Sequence, residues 1–442
     1  MTVSEPPFYL LIEEAFREFP SRVLLAALAV AKGRRVVIGQ QWWLHANFDR
    51  LAPGVVLAKG NNRTQVALMR WARDSGHRVA SIEEEAFGLT AYDGERLYDA
   101  EAVECCDLFL AQGEGLAEYL HRHYGASIEG RVAVTGTPRV DVLRAPLDGQ
   151  IRAEAERVRA EHGQFILVNT NHAMVNPFDH DTFAYFQRAV GVGVLDPSDP
   201  TVMRDLSGFA EWERGNLRSL TRLIRDLAPD PEIPPIIIRP HPSESQRVWE
   251  EAFDGVDGVR ALRQGDHLPW TAAAELLLHT SCTTGLEAFL LGTPSVSLQP
   301  GEDRWNRRFL ANLANPMTVD VSATAALVRD HLSGRSPIGE HGDASKQAIE
   351  PHLRLQGPEL ASERVLAAME ELSDRVTLNP ARRNLDGGAD EVGESPRRME
   401  KAFFGPEQLT DTLGRMSRAL GLGEMPAVRE LAPAVFALEP DQ

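Results

Sequence analysis

Short apolar runs alternate with longer stretches of helical periodicity along the first third of the chain. Residues 9–12, 35–38, 55–58, 78–82, 108–111 and 132–135 are brief and rich in Val, Leu and Ile, the pattern of strands buried on both faces. Between them, residues 16–31 carry apolar side chains at helical spacing and stop at Gly33. Residues 64–75 place Val66, Leu68, Met69 and Trp71 on an amphipathic helix closed by Gly76, and 115–124 read as a helix stopped by Gly125. Residues 42–51 are helical or irregular and end before Pro53. Repeated strand–helix alternation predicts a parallel sheet with helices on both faces.

The alternation pauses over residues 147–163, a charged and partly helical connection, and resumes with a strand at 165–169. Residues 171–200 carry Pro, Asp and Gly and read as an ordered loop with a helix at 183–190; 209–227 is helical. Strands follow at 236–238, 275–278 and 294–298. Residues 361–372 form a late helix, 378–398 are polar and read as a flexible linker, and 409–422 form a short amphipathic helix before an Ala/Pro-rich end. The expected domains are 1–150 and 151–350, both Rossmann-like, with 351–442 a helical and flexible extension. Deletion after Val376 is expected to leave ligand binding by the second domain intact.

Composition narrows the class. A chain of 442 residues exceeds one ordinary core and fits two domains with an extension. Its 64 acidic and 46 basic side chains give a net charge of −18, so nucleic acid is not an expected partner, because phosphate backbones are held by cations. The first residues lack a basic region ahead of an apolar one, so no signal peptide is expected, and the apolar stretch 23–31 is too short to span a bilayer. Three cysteines, two of them adjacent, make neither a disulfide framework nor a zinc pattern. A reducing cytoplasm is the simplest setting, with peripheral contact to a membrane enzyme system left open.

Residues 234–300 concentrate the candidate chemistry. The Ile236-Ile237-Ile238 run breaks into Arg239-Pro240-His241-Pro242-Ser243-Glu244, and Pro240 and Pro242 cannot continue a central strand. Arg239, His241 and Ser243 therefore stand at a strand's carboxyl end, where open α/β sheets place ligands. After the next strand come Thr280, Ser281, Cys282, Thr283 and Thr284, a loop and helix start whose amides and hydroxyls suit a phosphate. Glu287, one turn in, is placed to accept hydrogen bonds from sugar hydroxyls. A lone His-Pro is usually a turn and a Ser/Thr cluster usually an N-cap. In this order, each after an apolar strand, they point to a nucleotide site. Asn169, Asn171 and Asn176 surround the first strand end of the same half and suit a sugar or base, although loop asparagines more often satisfy their own backbone.

Carboxylates stand at strand ends of the first half. Glu13 and Glu14 follow the first strand, and either line a ligand site or simply favour a helix start. Arg17 and Glu18 on the next turn are expected to pair. Glu83-Glu84-Glu85 follows the strand at 78–82, well placed to take a proton from a sugar hydroxyl, and clustered like charges would raise their pKa values. The plainer alternative is an acidic solvated loop. Gly60-Asn61-Asn62 makes a turn that meets a ligand or merely reverses the chain. His121 and His123 have the wrong helical spacing for a shared metal, and there is neither a Walker loop nor Gly-x-Gly-x-x-Gly, so neither ATP nor NAD is expected.

Taken together, the Arg-Pro-His-Pro run at 239–242 and Thr-Ser-Cys-Thr-Thr-Gly-Leu-Glu-Ala at 280–288 resemble bacterial surface-carbohydrate biosynthesis proteins. Similar paired motifs occur in bacterial sialyltransferases, capsule Kdo transferases and teichoic-acid glycerophosphotransferases. Glu-Glu-Ala-Phe-Arg-Glu-Phe at 13–19 and Gly-Thr-Pro-Arg-Val-Asp at 136–141 also resemble this group. The resemblance implies a GT-B-type α/β glycosyltransferase, two Rossmann-like domains facing a cleft, the second holding the donor nucleotide and the first facing a glycan acceptor. It implies a CMP-linked sugar of Kdo or nonulosonate type held by His241, Pro242, Ser281, Thr283 and Thr284, with no further cofactor and no metal. Arg239 and His241 would offset charge on the leaving phosphate. The acidic pair before a glycine that supplies the catalytic carboxylate in these transferases is matched most nearly by Glu83-Glu84-Glu85, although Ala86 and Phe87 intervene before Gly88. The resemblance implies that Glu84 or Glu85 activates the acceptor or attacks the anomeric carbon. Two alternatives stay open: a UDP-sugar 2-epimerase-like enzyme, and a non-catalytic scaffold of polysaccharide assembly.

Overall fold

The computed structural model describes residues 5–90, 97–178, 182–191, 195–301, 303–336, 338, 343–382, 385, 401–423 and 425–440. The chain divides into two compact units. Unit 1 comprises Met1–Phe87, Tyr92–Asp148 and Glu350–Gln442; unit 2 comprises Gly88–Ala91 and Gly149–Ile349.

Unit 1 is built on strands β1 (Phe8–Ile12), β2 (Val36–Gln40), β3 (Val55–Ala58), β4 (Arg78–Ile82), β5 (Leu108–Ala111) and β6 (Val132–Val134). The late strands β13 (Ala427–Ala432) and β14 (Val435–Glu439) join them, and the sheet order is β13-β14-β2-β1-β3-β4-β5-β6. The first six strands are parallel, and every residue of β1, β2 and β3 is buried, which is why β1 and β3 read as unbroken apolar runs and β2 departs from one only at Gly39 and Gln40. Strand β2 follows β1 on one side and β3 lies on the other, so the order reverses at β1. Open α/β sheets place ligand sites at such reversals, outside the carboxyl ends of the strands.

The C-terminal hairpin is the main departure from the sequence pattern. Strand β14 pairs antiparallel with β2, and β13 with β14. Gly39 permits that docking, since a Cβ there would lie 2.6 Å from Val435 Cα. Phe404 packs between Phe19, at 4.7 Å between ring centroids, and Phe436, at 5.5 Å. Of the linker expected at 378–398, residues 383, 384 and 386–398 lie outside the described residues. Within the rest, Arg382 donates to the carbonyls of Phe48, Asp49 and Ser75, and Leu385 is buried in the core of unit 1. A composition average over a charged window hides such isolated anchors.

Truncation after Val376 would strip Phe404, Val435, Phe436 and Leu438, all fully buried, from unit 1. Each buried apolar side chain contributes roughly 1.5–3 kcal/mol. Their sum rivals the stability of a whole domain, about 5–15 kcal/mol. The truncated protein is expected to lose the calorimetric transition of unit 1; an unchanged transition would show the hairpin to be dispensable.

Unit 2 carries β7 (Ile166–Asn169), β8 (Ile236–Arg239), β9 (Val259–Ala261), β10 (Leu276–His279), β11 (Ser295–Leu298) and β12 (Met317–Thr318), ordered β12-β11-β10-β7-β8-β9 and all parallel. Its order reverses between β7 and β10. The charged connection read at 147–163 is largely the helix Gly149–His162, which belongs to unit 2; Arg159 donates to the carbonyls of Ala272 and Ala273. Both units are Rossmann-like. No described helix is long and apolar enough to cross a membrane.

Candidate active site

Each unit gathers polar side chains where its strand order reverses. In unit 1 the chain leaves β1 into Glu13 and Glu14, β3 into Lys59, and β4 into the three glutamates. Lys59 Nζ lies 2.6 Å from Glu13 Oε2, tying the ends of β1 and β3, and 3.7 Å from Glu85 Oε1. Arg17 lies 2.7 Å from Glu14 and 3.1 Å from Glu85. The expected pair between Arg17 and Glu18 is not formed. Adjacent helical residues do not face each other, and Glu18 turns inward to accept from the Glu13 amide at 2.8 Å. Burial pushes the Glu18 carboxyl up to about 7.

The three consecutive glutamates occupy three different environments. Glu83 is buried and accepts from the amides of Asn61 at 3.1 Å and Glu85 at 3.0 Å. Burial pushes it up to about 8, so it holds a proton near neutrality. Glu84 is buried 3.2 Å from Arg22, whose Nε donates to the Leu11 carbonyl. Glu85 keeps 42% of its side chain exposed. Burial works to raise its pKa, but Arg17 and Lys59 outweigh that and hold it below the usual range. The expected mutual elevation therefore fails at Glu85 because two cations stand beside it. Glu14 is half-buried and balances Arg17.

In unit 2, Asn169 ends β7 one residue beyond the pairing of Val168 with Leu278. It is buried, and among the described residues neither atom of its amide has a partner. Asn171 Nδ2 donates to the Ser281 carbonyl at 3.3 Å, and His172 Nε2 lies 2.9 Å from Thr280 Oγ1, so the loops after β7 and β10 meet. Burial holds the His172 imidazole below its ordinary pKa, hence neutral. Glu244, fully buried, accepts from Thr170 Oγ1 at 2.7 Å, the His172 amide at 2.8 Å and Trp249 Nε1 at 3.1 Å. That carboxylate stitches the β7 and β8 loops together.

The Arg-Pro-His-Pro run divides by role. Arg239 is buried, donates to the carbonyls of Gln264 and Gly265, and lies 5.0 Å from the Trp270 ring centroid. Its guanidinium holds the loop after β9. His241 and Pro242 are exposed; His241 Nδ1 accepts from the Ser243 amide at 3.1 Å. After β10, Ser281 adopts a φ of +63°, and the helix Thr283–Leu291 begins with Cys282 as its N-cap. Cys282 Sγ accepts from the Thr284 amide and, at 3.1 Å, from the Thr284 hydroxyl, so the half-buried Thr283 amide is the leading one left for another acceptor. The close approach of helix to strand requires Gly285, because a Cβ there would collide with His279 Nε2.

Glu287 meets a partner that the sequence did not suggest. His267 Nε2 lies 2.7 Å from Glu287 Oε2, and its Nδ1 lies 3.0 Å from Asp266 Oδ1. Burial would lower the imidazole pKa, but Glu287 and Asp266 outweigh it and hold His267 up at about 10. An unfolded histidine titrates near ~6.5. The stabilisation is therefore complete below about pH 6.5 and is lost as pH rises towards 10. Glu287→Gln is expected to flatten the decline in melting temperature over that window; an identical decline in both proteins would sink this assignment.

Sequence reasoning missed Lys59, His172, Glu244 and His267 as members of these clusters. All stand just past strand ends or at a helix start, and that position was the available signal.

No family profile and no curated protein matches the chain. Among solved structures it is similar to a Listeria monocytogenes protein assigned as a UDP-N-acetylglucosamine 2-epimerase, at 14% identity over 84% of this chain and 98% of that one, with a TM-score of 0.52. It is also similar to UDP-GlcNAc 2-epimerase from Methanocaldococcus jannaschii (16% identity, 78% and 98% covered, TM-score 0.49). The wall teichoic acid polymerase TagF is a third (10% identity, 84% and 90% covered, TM-score 0.49). At such identities the likeness to the Listeria protein bears on the fold alone, two Rossmann-like units of the GT-B type.

Proposed function

We propose that the chain is a glycosyltransferase that moves a sugar from a nucleotide donor, CMP-linked, to a surface glycan or its precursor. The observation that carries this reading is the start of the helix Thr283–Leu291. It stands at the reversal between β7 and β10, its leading Thr283 amide uncapped, with the unpartnered Asn169 amide buried at the end of β7. Such a helix start suits the phosphate of a nucleotide, and the exposed His241 at the end of β8 adds a hydrogen-bonding group. Unit 1 supplies Glu85, the exposed and ionised member of the glutamate run. The acceptor hydroxyl attacks the anomeric carbon, the bond from that carbon to the phosphate oxygen breaks, and the nucleotide departs with the electron pair. Glu85 takes the hydroxyl proton. Peripheral contact with membrane-bound assembly machinery accords with such an acceptor, and no step requires a metal.

A 2-epimerase-like reaction is the second reading, favoured by one observation: Glu83, protonated near neutrality, stands two residues from ionised Glu85, an acid and a base on one turn. Thermal shifts with CMP, CDP, UMP, UDP and GDP, on wild type and His241→Ala, separate the donors. A ligand at one hundred times its Kd stabilises by about 2.7 kcal/mol, and each kcal/mol raises Tm by roughly 2–4 °C. A CMP shift lost in His241→Ala is expected. A larger UDP shift would favour the epimerase, as would a changed sugar still attached to its nucleotide. No shift with any nucleotide at saturating concentration would overturn both.

A further inference from the structure

We infer that Asn312 is a positioning residue for the nucleotide site of unit 2, an inference that rests on the function proposed above. The feature it controls is Ser281. That residue is fully buried and left-handed at φ +63°, a conformation non-glycine residues adopt only when their surroundings enforce it. The Ser281 hydroxyl accepts from Asn312 Nδ2 at 2.8 Å. Asn312 in turn donates to the Asn306 carbonyl at 2.7 Å and accepts from Ser297 Oγ at 2.6 Å. It therefore sits at the centre of a buried network whose bonds leave it one orientation.

The grip extends along the turn. Asn315, three residues on, donates from Nδ2 to the Gly285 carbonyl at 2.9 Å and to the Ala311 carbonyl at 2.8 Å. From another side Gly88, at φ +85°, abuts Thr283: a Cβ there would lie 3.1 Å from Thr283 Cγ2. The Leu310 amide donates to the Gly88 carbonyl at 2.8 Å. Residues 310–315 thus fasten the turn at Ser281 before the leading amides and at Gly285 after them. The Thr283 amide, which the proposed phosphate would meet, lies inside the fastened span. Without the Asn312 bond, Ser281 relaxes towards negative φ, and the helix start tilts away from its bound geometry.

A substitution at Ser281 distinguishes positioning from mere packing. Glycine adopts positive φ without penalty, so Ser281→Gly removes the need for the clamp, whereas Ser281→Ala removes the accepting oxygen and keeps the strain. Asn312→Ala and Ser281→Ala are each expected to weaken CMP binding about tenfold, the size of one strained dihedral. Ser281→Gly is expected to bind more tightly than Ser281→Ala, and the double variant Ser281→Gly/Asn312→Ala more tightly than Asn312→Ala. Equal affinity in Asn312→Ala and wild type would overturn the inference, as would a double variant as weak as Asn312→Ala. If Asn312→Ala fails to fold, the comparison of alanine with glycine at position 281 decides, and equal losses overturn it. Amide hydrogen exchange at residues 283–285 without nucleotide reads the clamp independently. Faster exchange in Asn312→Ala, restored in the double variant, supports the clamp even if wild type binds no nucleotide, in which case only the functional reading fails. Unchanged exchange overturns the clamp.

Discussion

Glu85→Gln is expected to lower turnover by about 10²–10⁴-fold, the usual cost of removing a general base, while nucleotide affinity and melting temperature stay near wild type. The substitution keeps the shape of the side chain and removes its charge. Its two cations keep other partners, Lys59 with Glu13 at 2.6 Å and Arg17 with Glu14 at 2.7 Å. Glu14→Gln should act more weakly, because Glu14 touches the reaction only through Arg17. The acid limb of the rate profile should fall below the range of an ordinary glutamate, since Arg17 and Lys59 hold Glu85 ionised against the effect of burial. Undiminished turnover in Glu85→Gln would remove this carboxylate from the mechanism and turn attention to Glu83.

Arg22→Met is expected to cost about 3–5 kcal/mol, the penalty for leaving one member of a buried ion pair alone. Arg22 has no exposed side-chain surface and Glu84 only 3%. Glu18, also buried, looks to the same cation. Loss of Arg22 leaves the Glu84 carboxylate buried without its charge partner, which destabilises the region. Arg22→Met combined with Glu84→Met should be markedly more stable than Arg22→Met alone, since an apolar pair fills the volume without an orphaned charge. Chemical denaturation measures both. A single substitution that cost less than ~1 kcal/mol would place the pair in the solvated class. Glu84 thereby differs from its neighbour: its substitution is read first in stability, and that of Glu85 in rate.

The two predictions concern adjacent residues, and nothing in the local sequence separates them. Glu83, Glu84 and Glu85 share charge, spacing and position after β4. Arg22 lies on the helix Ala15–Ala31 and Lys59 beyond β3, remote in sequence from the glutamates they serve. A pKa depends on burial and on the nearest charges, and both are set by packing between elements. The same holds in unit 2. The helix start near Thr283 was legible as a Ser/Thr cluster before an apolar run. The pairing of Glu287 with His267, and the engagement of Arg239 with the loop after β9, were not.

What the sequence determined by itself was the alternation. Parallel strands buried on both faces must be short, apolar and unbroken, and the chain announces most of them, along with the prolines and glycines that end them. Their carboxyl ends therefore also marked the candidate residues. Only the tertiary structure decided the strand order, with its reversals at β1 and between β7 and β10. It alone brought β13 and β14 back beside β2, across nearly the whole chain. The periodicity of one strand states that it is buried, but not which neighbour buries it. That choice is made by closure of the whole core, where Gly39 leaves room for Val435 and Phe404 fills the space beside Phe19.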